Sequence, residues 1–142
     1  PGFVSGGGGL VSTAADYLRF CTMLLNGGAL DGVRLVSPKT LELMSMNHLP
    51  GGKELPDLSV SLFSEATYGG VGFGLGFAVS LSPARSMIPG SAGDISWGGL
   101  ASTYFWVDPR ERLIVIFMTQ LTPSATYPIR RELRTLVYSA FT

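Results

Sequence analysis

Residues 93–120 constrain the fold more than any other stretch. Two strand-like runs, 100–107 and 113–118, flank the short link Asp108-Pro109-Arg110-Glu111-Arg112. The first run is rich in Thr, Tyr, Phe, Trp and Val, side chains that suit a pleated surface. Proline fixes φ and Asp108 can accept from the backbone that follows it, so the link reads as a tight turn. Strands joined so closely pair antiparallel. The second run is apolar at both alternating sets of positions, which predicts a central strand covered on both faces. Just ahead of the first run stands Trp97-Gly98-Gly99. Two glycines at a strand entrance remove the Cβ atoms that would hold off another backbone or a bound molecule. A local turn or bulge has the same requirement, and spacing alone favours it.

A second period-two stretch covers 71–79, where Val71, Phe73, Leu75, Phe77 and Val79 alternate with Gly72, Gly74, Gly76 and Ala78. It predicts one strand with an apolar face and a nearly bare face, against which a helix or neighbouring segment packs closely. A helix is expected from Thr13, paired with Asp16 in a capping-box-like arrangement, to Gly27-Gly28. Ala14, Leu18, Cys21 and Leu25 form its stripe, widened by Tyr17, Phe20 and Leu24. Cys21 therefore reads as a small core residue. Leu30-Asp-Gly-Val-Arg-Leu-Val36 reads as a turn with short extended flanks. Ser37-Pro38 opens a second helix that points Leu41 and Met44 inward and ends before Pro50. His48, the single histidine, falls in its last turn, where free carbonyls await a donor; no Ser-Asp context makes it a general base.

Residues 49–70 lose all periodicity, and a loop of that length is often a lid or binding loop. Asp94, after Gly93, reads as a turn former in preference to a catalytic carboxylate. A last helix opens at Pro128, with Ile129, Leu133, Leu136 and Val137 as its stripe and Arg130, Arg131 and Arg134 on a solvated face. The four glycines 6–9 read as a flexible approach to the first helix, since no phosphate-loop Lys-Ser/Thr follows them. The expected fold is α+β: an antiparallel sheet with the last helix packed on it, and the first two helices in the opposite layer or in a neighbouring all-α region.

Charged residues make up only 14% of the 142 positions, against about 25% in ordinary domains, and the mean hydropathy is +0.33. Such a chain suits a piece that buries surface against something else. Ten basic and ten acidic side chains cancel, which leaves no electrostatic footprint for nucleic acid or an anionic membrane. No apolar run reaches the roughly 18 residues of a membrane span. One cysteine excludes an internal disulfide. The chain opens Pro-Gly-Phe without Met, so its natural N-terminus is expected to lie upstream.

Three motifs in order carry a resemblance over nearly the whole chain: Gly6-Gly-Gly-Gly-Leu-Val-Ser-Thr-Ala-Ala-Asp-Tyr-Leu-Arg-Phe, Leu35-Val-Ser-Pro-Lys-Thr, and Trp97-Gly-Gly followed by Trp106-Val-Asp-Pro and Met118-Thr-Gln. Together they resemble the C-terminal part of the serine β-lactamase-like family, which includes class C β-lactamases, penicillin-binding peptidases and related carboxylesterases. The esterase branch is the nearest look, because Trp-Gly-Gly there replaces Lys-Thr-Gly. The resemblance implies a serine acyl-enzyme, an ester or amide small molecule as substrate, and neither cofactor nor metal.

The family's nucleophile lies in Ser-x-x-Lys and its proton partner in Tyr-x-Asn, and neither occurs here. Ser82-Pro-Ala-Arg85 is the nearest approach, and arginine is no base at ordinary pH. The resemblance thus makes this chain the C-terminal portion of one β-lactamase-like domain, inactive alone, with the N-terminal half of the same protein as its partner. Self-association is expected where that half is missing. Trp97, Gly98 and Gly99 match the substrate-binding Lys-Thr-Gly positions, and the backbone N–H of Leu100 matches one donor of the oxyanion hole. Loss of the lysine and hydroxyl argues for a neutral, apolar acyl group over a β-lactam or D-Ala-D-Ala terminus, unless Arg85, Arg110 or a residue of the missing half restores the charge. A catalytically dead scaffold of the same fold is the rival from another class.

Overall fold

The computed structural model describes residues 2, 8, 10–58, 69–124 and 126–141. The glycine-rich entry lies outside them except Gly2 and Gly8, as do residues 59–68 of the long loop. Thr13 caps α1 (Ala14–Leu25): its hydroxyl accepts the Asp16 N–H at 3.1 Å and donates to the Asp16 carboxylate at 2.8 Å. Gly27 and Gly28 end the helix at φ 69° and 91°, and a Cβ on Gly28 would collide with the Val36 backbone. The stripe is narrower than its spacing suggests. Cys21 and Leu24 are buried with Tyr17 and Leu25 packed beside them, whereas Ala14, Leu18 and Phe20 stay exposed.

A two-stranded hairpin follows, β1 (Ala29–Leu30) and β2 (Val33–Arg34). Asp31 and Gly32 at its tip both take positive φ, as the hairpin turn with matching twist requires. Ser37 caps α2 (Pro38–Met44) through the Thr40 N–H at 3.0 Å. Leu41 and Met44 join the core as expected. A 3-10 turn (Pro50–Gly52) and the short α3 (Leu55–Leu58) lead into the loop.

The main sheet is antiparallel, ordered β3 (Val71–Phe73), β4 (Ala78–Ser80), β5 (Ile95–Gly98), β6 (Tyr104–Asp108), β7 (Leu113–Phe117). The single strand expected over 71–79 is two strands folded on each other, with Val71 opposite Ser80 and Phe73 opposite Ala78. The chain reverses at 74–77, where Gly74 N–H reaches Phe77 C=O at 2.8 Å and Gly76 takes φ 108°. The pairing matches odd with even positions, so the apolar set changes face at the reversal: Val71 and Phe73 share a side with Ser80 and Ala78, and Val79 shares one with Gly72. The close packing expected at the glycines holds: a Cβ on Gly72 or Gly74 would strike Asn47 or the Met44 carbonyl. Segment 44–48 in fact seals that sheet edge, with His48 N–H on Phe73 C=O and Asn47 Oδ1 on the Phe73 N–H.

A short helix α4 (Pro83–Ser86) lies between β4 and β5. β6 is buried at every position while β7 is half-buried throughout and stands at the sheet edge. The expectation of a central second strand is corrected accordingly: of the two, β6 is the interior strand and β7 the edge. Among the described residues nothing pairs with the outer side of β7, which carries the composition of an interior strand without the neighbour. The turn between them forms as expected, with Asp108 Oδ1 accepting the Arg110 and Glu111 N–H groups at 3.0 and 3.2 Å.

The two sheet faces are distinct. Val79, Ile95, Phe105 and Val107 face α1 and form the core with Cys21, Leu24 and Leu41. Tyr104 and Trp106 face the last helix, α5 (Ile129–Ser139). Of the two placements expected for the first two helices, the structure has the layer opposite α5. Cys21 is fully buried, and burial pushes its thiol up to about 11 from an ordinary 9.0. A raised thiol stays neutral, so its contribution to stability is complete below pH 9.0 and is lost as pH rises towards about 11. A disulfide thiol reagent at pH 8 should leave Cys21 unmodified in the native protein and label it fully once denaturant unfolds it; rapid native labelling would show the helix face to be open.

Candidate active site

Trp97 and Gly98 are the last residues of β5, in register with Phe105 and Tyr104. Gly99 leaves the ladder with its N–H on Thr103 C=O at 2.8 Å, and Ser102 N–H closes a turn onto Gly99 C=O at 3.0 Å. The strand expected over 100–107 therefore begins only at Tyr104. Leu100 lies in the turn, 64% exposed, because the chain reverses with Ser102 at φ 72°. Among the described residues the Leu100 N–H makes no hydrogen bond.

The three motif residues have different surroundings. Trp97 is half-buried on the α1 side and meets the Phe73 ring edge-on at 4.9 Å. Gly98 is approached closely, but by the protein itself: a Cβ there would collide with the Arg130 guanidinium. Gly99 has nothing within 4 Å of a Cβ position. An open groove of about 410 Å³ runs past Trp97, Gly99, Thr103, Phe105 and Met118, within the roughly 300–1,000 Å³ usual for small-molecule sites.

On the other face of β5 the expected solvated arginines are corrected. Arg134 is buried and bidentate to Asp94, both bonds 2.8 Å, and its Nε donates to Tyr104 Oη at 3.1 Å. Burial works against the guanidinium charge, and the Asp94 and Tyr104 interactions outweigh it. Its guanidinium also lies 5.0 Å from the Trp106 ring centre. Asp94, 1% exposed, is thus a buried ion-pair partner and not primarily a turn former. Leu136, placed inward by the spacing, is instead exposed. Arg130 is half-buried: Nη2 donates to Gly99 C=O at 3.0 Å, and the guanidinium sits 5.2 Å from the Tyr104 ring centre. Arg131 alone of the three is exposed, donating to Met87 C=O. Tyr138 donates to Asp108 Oδ2 at 2.7 Å; burial and then that bond push its phenol up.

The cations proposed to restore charge at the site do not reach it. Arg85 pairs with Glu54, and Arg110 sits in the β6–β7 turn, at the end of β6 opposite Tyr104 and Gly98. The nearest cation is Arg130. His48 lies just beyond α2 and its Nε2 meets Leu43 C=O at 2.7 Å, the carbonyl-capping position its spacing suggests.

The sequence model of the beta-lactamase family matches residues 1–139. The chain belongs to the beta-lactamase family. Protein Rv1367c of Mycobacterium tuberculosis (strain ATCC 25618 / H37Rv) is 40% identical over 126 residues, 87% of this chain and 30% of that protein. The uncharacterized protein MT1414 of strain CDC 1551 / Oshkosh matches to the same extent. The chain therefore spans 30% of the length of these relatives. Among solved structures, EstCE1, a hydrolase with promiscuous acyltransferase activity, superposes with a TM-score of 0.66 at 25% identity, over 88% of this chain and 29% of that one. The LovD9 mutant of simvastatin synthase from Aspergillus terreus gives 0.67 at 25% identity, over 90% and 34%. The sheet and helices correspond to the C-terminal part of these β-lactamase-fold proteins.

Proposed function

We propose that this chain forms the oxyanion-side wall of a serine hydrolase that cleaves esters through a serine acyl-enzyme. One observation carries the reading: the Leu100 N–H has no hydrogen-bond partner among the described residues, and it follows Gly99, which lines an open groove of largely apolar residues. A tetrahedral intermediate concentrates charge on one oxygen, and a fixed donor aimed at it lowers the barrier. Trp97 and Gly99 flank the groove, where an apolar acyl group would lie. The acyl-transfer chemistry in the description of EstCE1 supports the same substrate class.

The β-lactamase or D-Ala-D-Ala peptidase alternative calls for a cation facing the substrate carboxylate, and Arg130 is committed to the Gly99 carbonyl. The nucleophile and its base belong to the N-terminal half of the same domain, whose strand would pair with β7. An upstream Ser-x-x-Lys is required; its absence would favour the inactive scaffold.

The full-length protein should hydrolyse p-nitrophenyl butyrate far faster than a chromogenic cephalosporin. The 142-residue chain should turn over neither and should elute in light-scattering chromatography above its 15.1 kDa monomer mass, because among the described residues nothing pairs with the outer edge of β7. A cephalosporin preference would overturn the ester reading. A stable monomer of the isolated chain would overturn the half-domain reading.

A further inference from the structure

We propose that Arg130 is a positioning residue for the oxyanion donor, acting through the single peptide group that joins Gly99 to Leu100. The inference rests on the reading of the Leu100 N–H given above. In a trans peptide the C=O and N–H are coplanar and point in opposite directions. Arg130 Nη2 and the Ser102 N–H both donate to Gly99 C=O at 3.0 Å. Holding that oxygen toward α5 aims the attached Leu100 N–H away from α5. The same bonds polarise the peptide: a charged donor on the carbonyl draws electron density from the nitrogen and strengthens the N–H as a donor.

The rest of the geometry is built to hold this contact. Gly98 leaves the space that a Cβ would close to the guanidinium. The Tyr104 ring lies 5.2 Å beneath it. One turn further along α5, Arg134 is locked to Asp94, which fixes the height of Arg130 over the strand end. Motif glycine and helix arginine are therefore one device: the glycine exists at 98 so that the arginine can reach 99. No other charged donor among the described residues bonds that carbonyl.

The test uses the full-length enzyme. Arg130→Met keeps the volume and removes the donor; it should lower kcat for the ester roughly 10-fold, short of the loss from deleting an oxyanion donor outright, with KM within about twofold. Affinity for a boronate that forms a tetrahedral adduct should fall by the same factor. Arg130→Lys, which keeps a charged donor, should recover most of both. Leu100→Pro separates the two readings. If Arg130 acts through the Leu100 N–H, adding Arg130→Met to Leu100→Pro should cost no more than about a further twofold. Full additivity, or normal kcat in Arg130→Met beside a crippled Leu100→Pro, overturns the proposal and leaves the donor standing. Normal turnover in Leu100→Pro overturns the donor and the proposal together.

Discussion

Replacing Arg134 by methionine should destabilise the full-length protein by about 3–5 kcal/mol, the usual cost of removing one member of a buried ion pair. Asp94 would be left 1% exposed with no counter-ion, and Tyr104 Oη would lose the Nε donor at 3.1 Å. A loss of that size is a large share of the roughly 5–15 kcal/mol that holds an ordinary domain together. Removing both charges, as Asp94→Leu with Arg134→Met, should cost less than Arg134→Met alone, since no charge is then stranded in the interior. Urea midpoints of the three proteins decide it. An unchanged midpoint for Arg134→Met would mean that water reaches Asp94 and that the pair adds nothing to the fold.

Leu100→Pro should lower ester turnover roughly 100- to 1,000-fold, the range for loss of one oxyanion donor. The substitution is unusually clean. Leu100 is the second residue of the turn that Ser102 closes onto Gly99, a position where proline's fixed φ is favoured. The deleted N–H has no partner among the described residues, so folding loses no hydrogen bond. Gly99→Val offers a second route. A Cβ there meets nothing within 4 Å, so the protein should fold, yet the side chain would crowd the approach to the donor and cost at least about 10-fold. Wild-type turnover in both folded variants would reduce Trp97-Gly98-Gly99 to a strand end and a turn.

Much of the fold is written locally. Thr13 with Asp16, Ser37 with Pro38, and Asp108 with Pro109 each act within three residues of themselves, and each does in the structure what its spacing requires. What sequence reading misplaces depends on distance along the chain. Alternation over 71–79 runs unbroken along the sequence, yet the chain reverses within it and the apolar positions change sheet face. A strand apolar on both faces reads as central, whereas β7 stands at an edge. Asp94 and Arg134 are 40 positions apart, so one looked like a turn residue and the other like a solvated cation.

The candidate site divides the same way. Trp97-Gly98-Gly99-Leu100 is legible as a motif. Arg130 is invisible until α5 is laid across β5, although two arginines four apart beside the apolar Leu133 and Val137 were a signal available in advance. Gly98 shows the difference most plainly. Its missing side chain reads as room for a ligand, and the structure fills that room with the protein's own guanidinium.

The clasp between α5 and β5 also has a consequence in time. A ribosome delivers Asp94 some 40 residues before Arg134, an interval of roughly 2–8 s at ordinary elongation rates. Throughout it, Asp94 is without its counter-ion and the Gly99 carbonyl without its cation. Trp106, later sealed at 0% exposure, has no helix above it. The rim of the proposed catalytic groove is thus completed after the sheet that bears it, when α5 docks. A nascent chain stalled before residue 128 would carry every motif residue and still lack the contact that aims its donor.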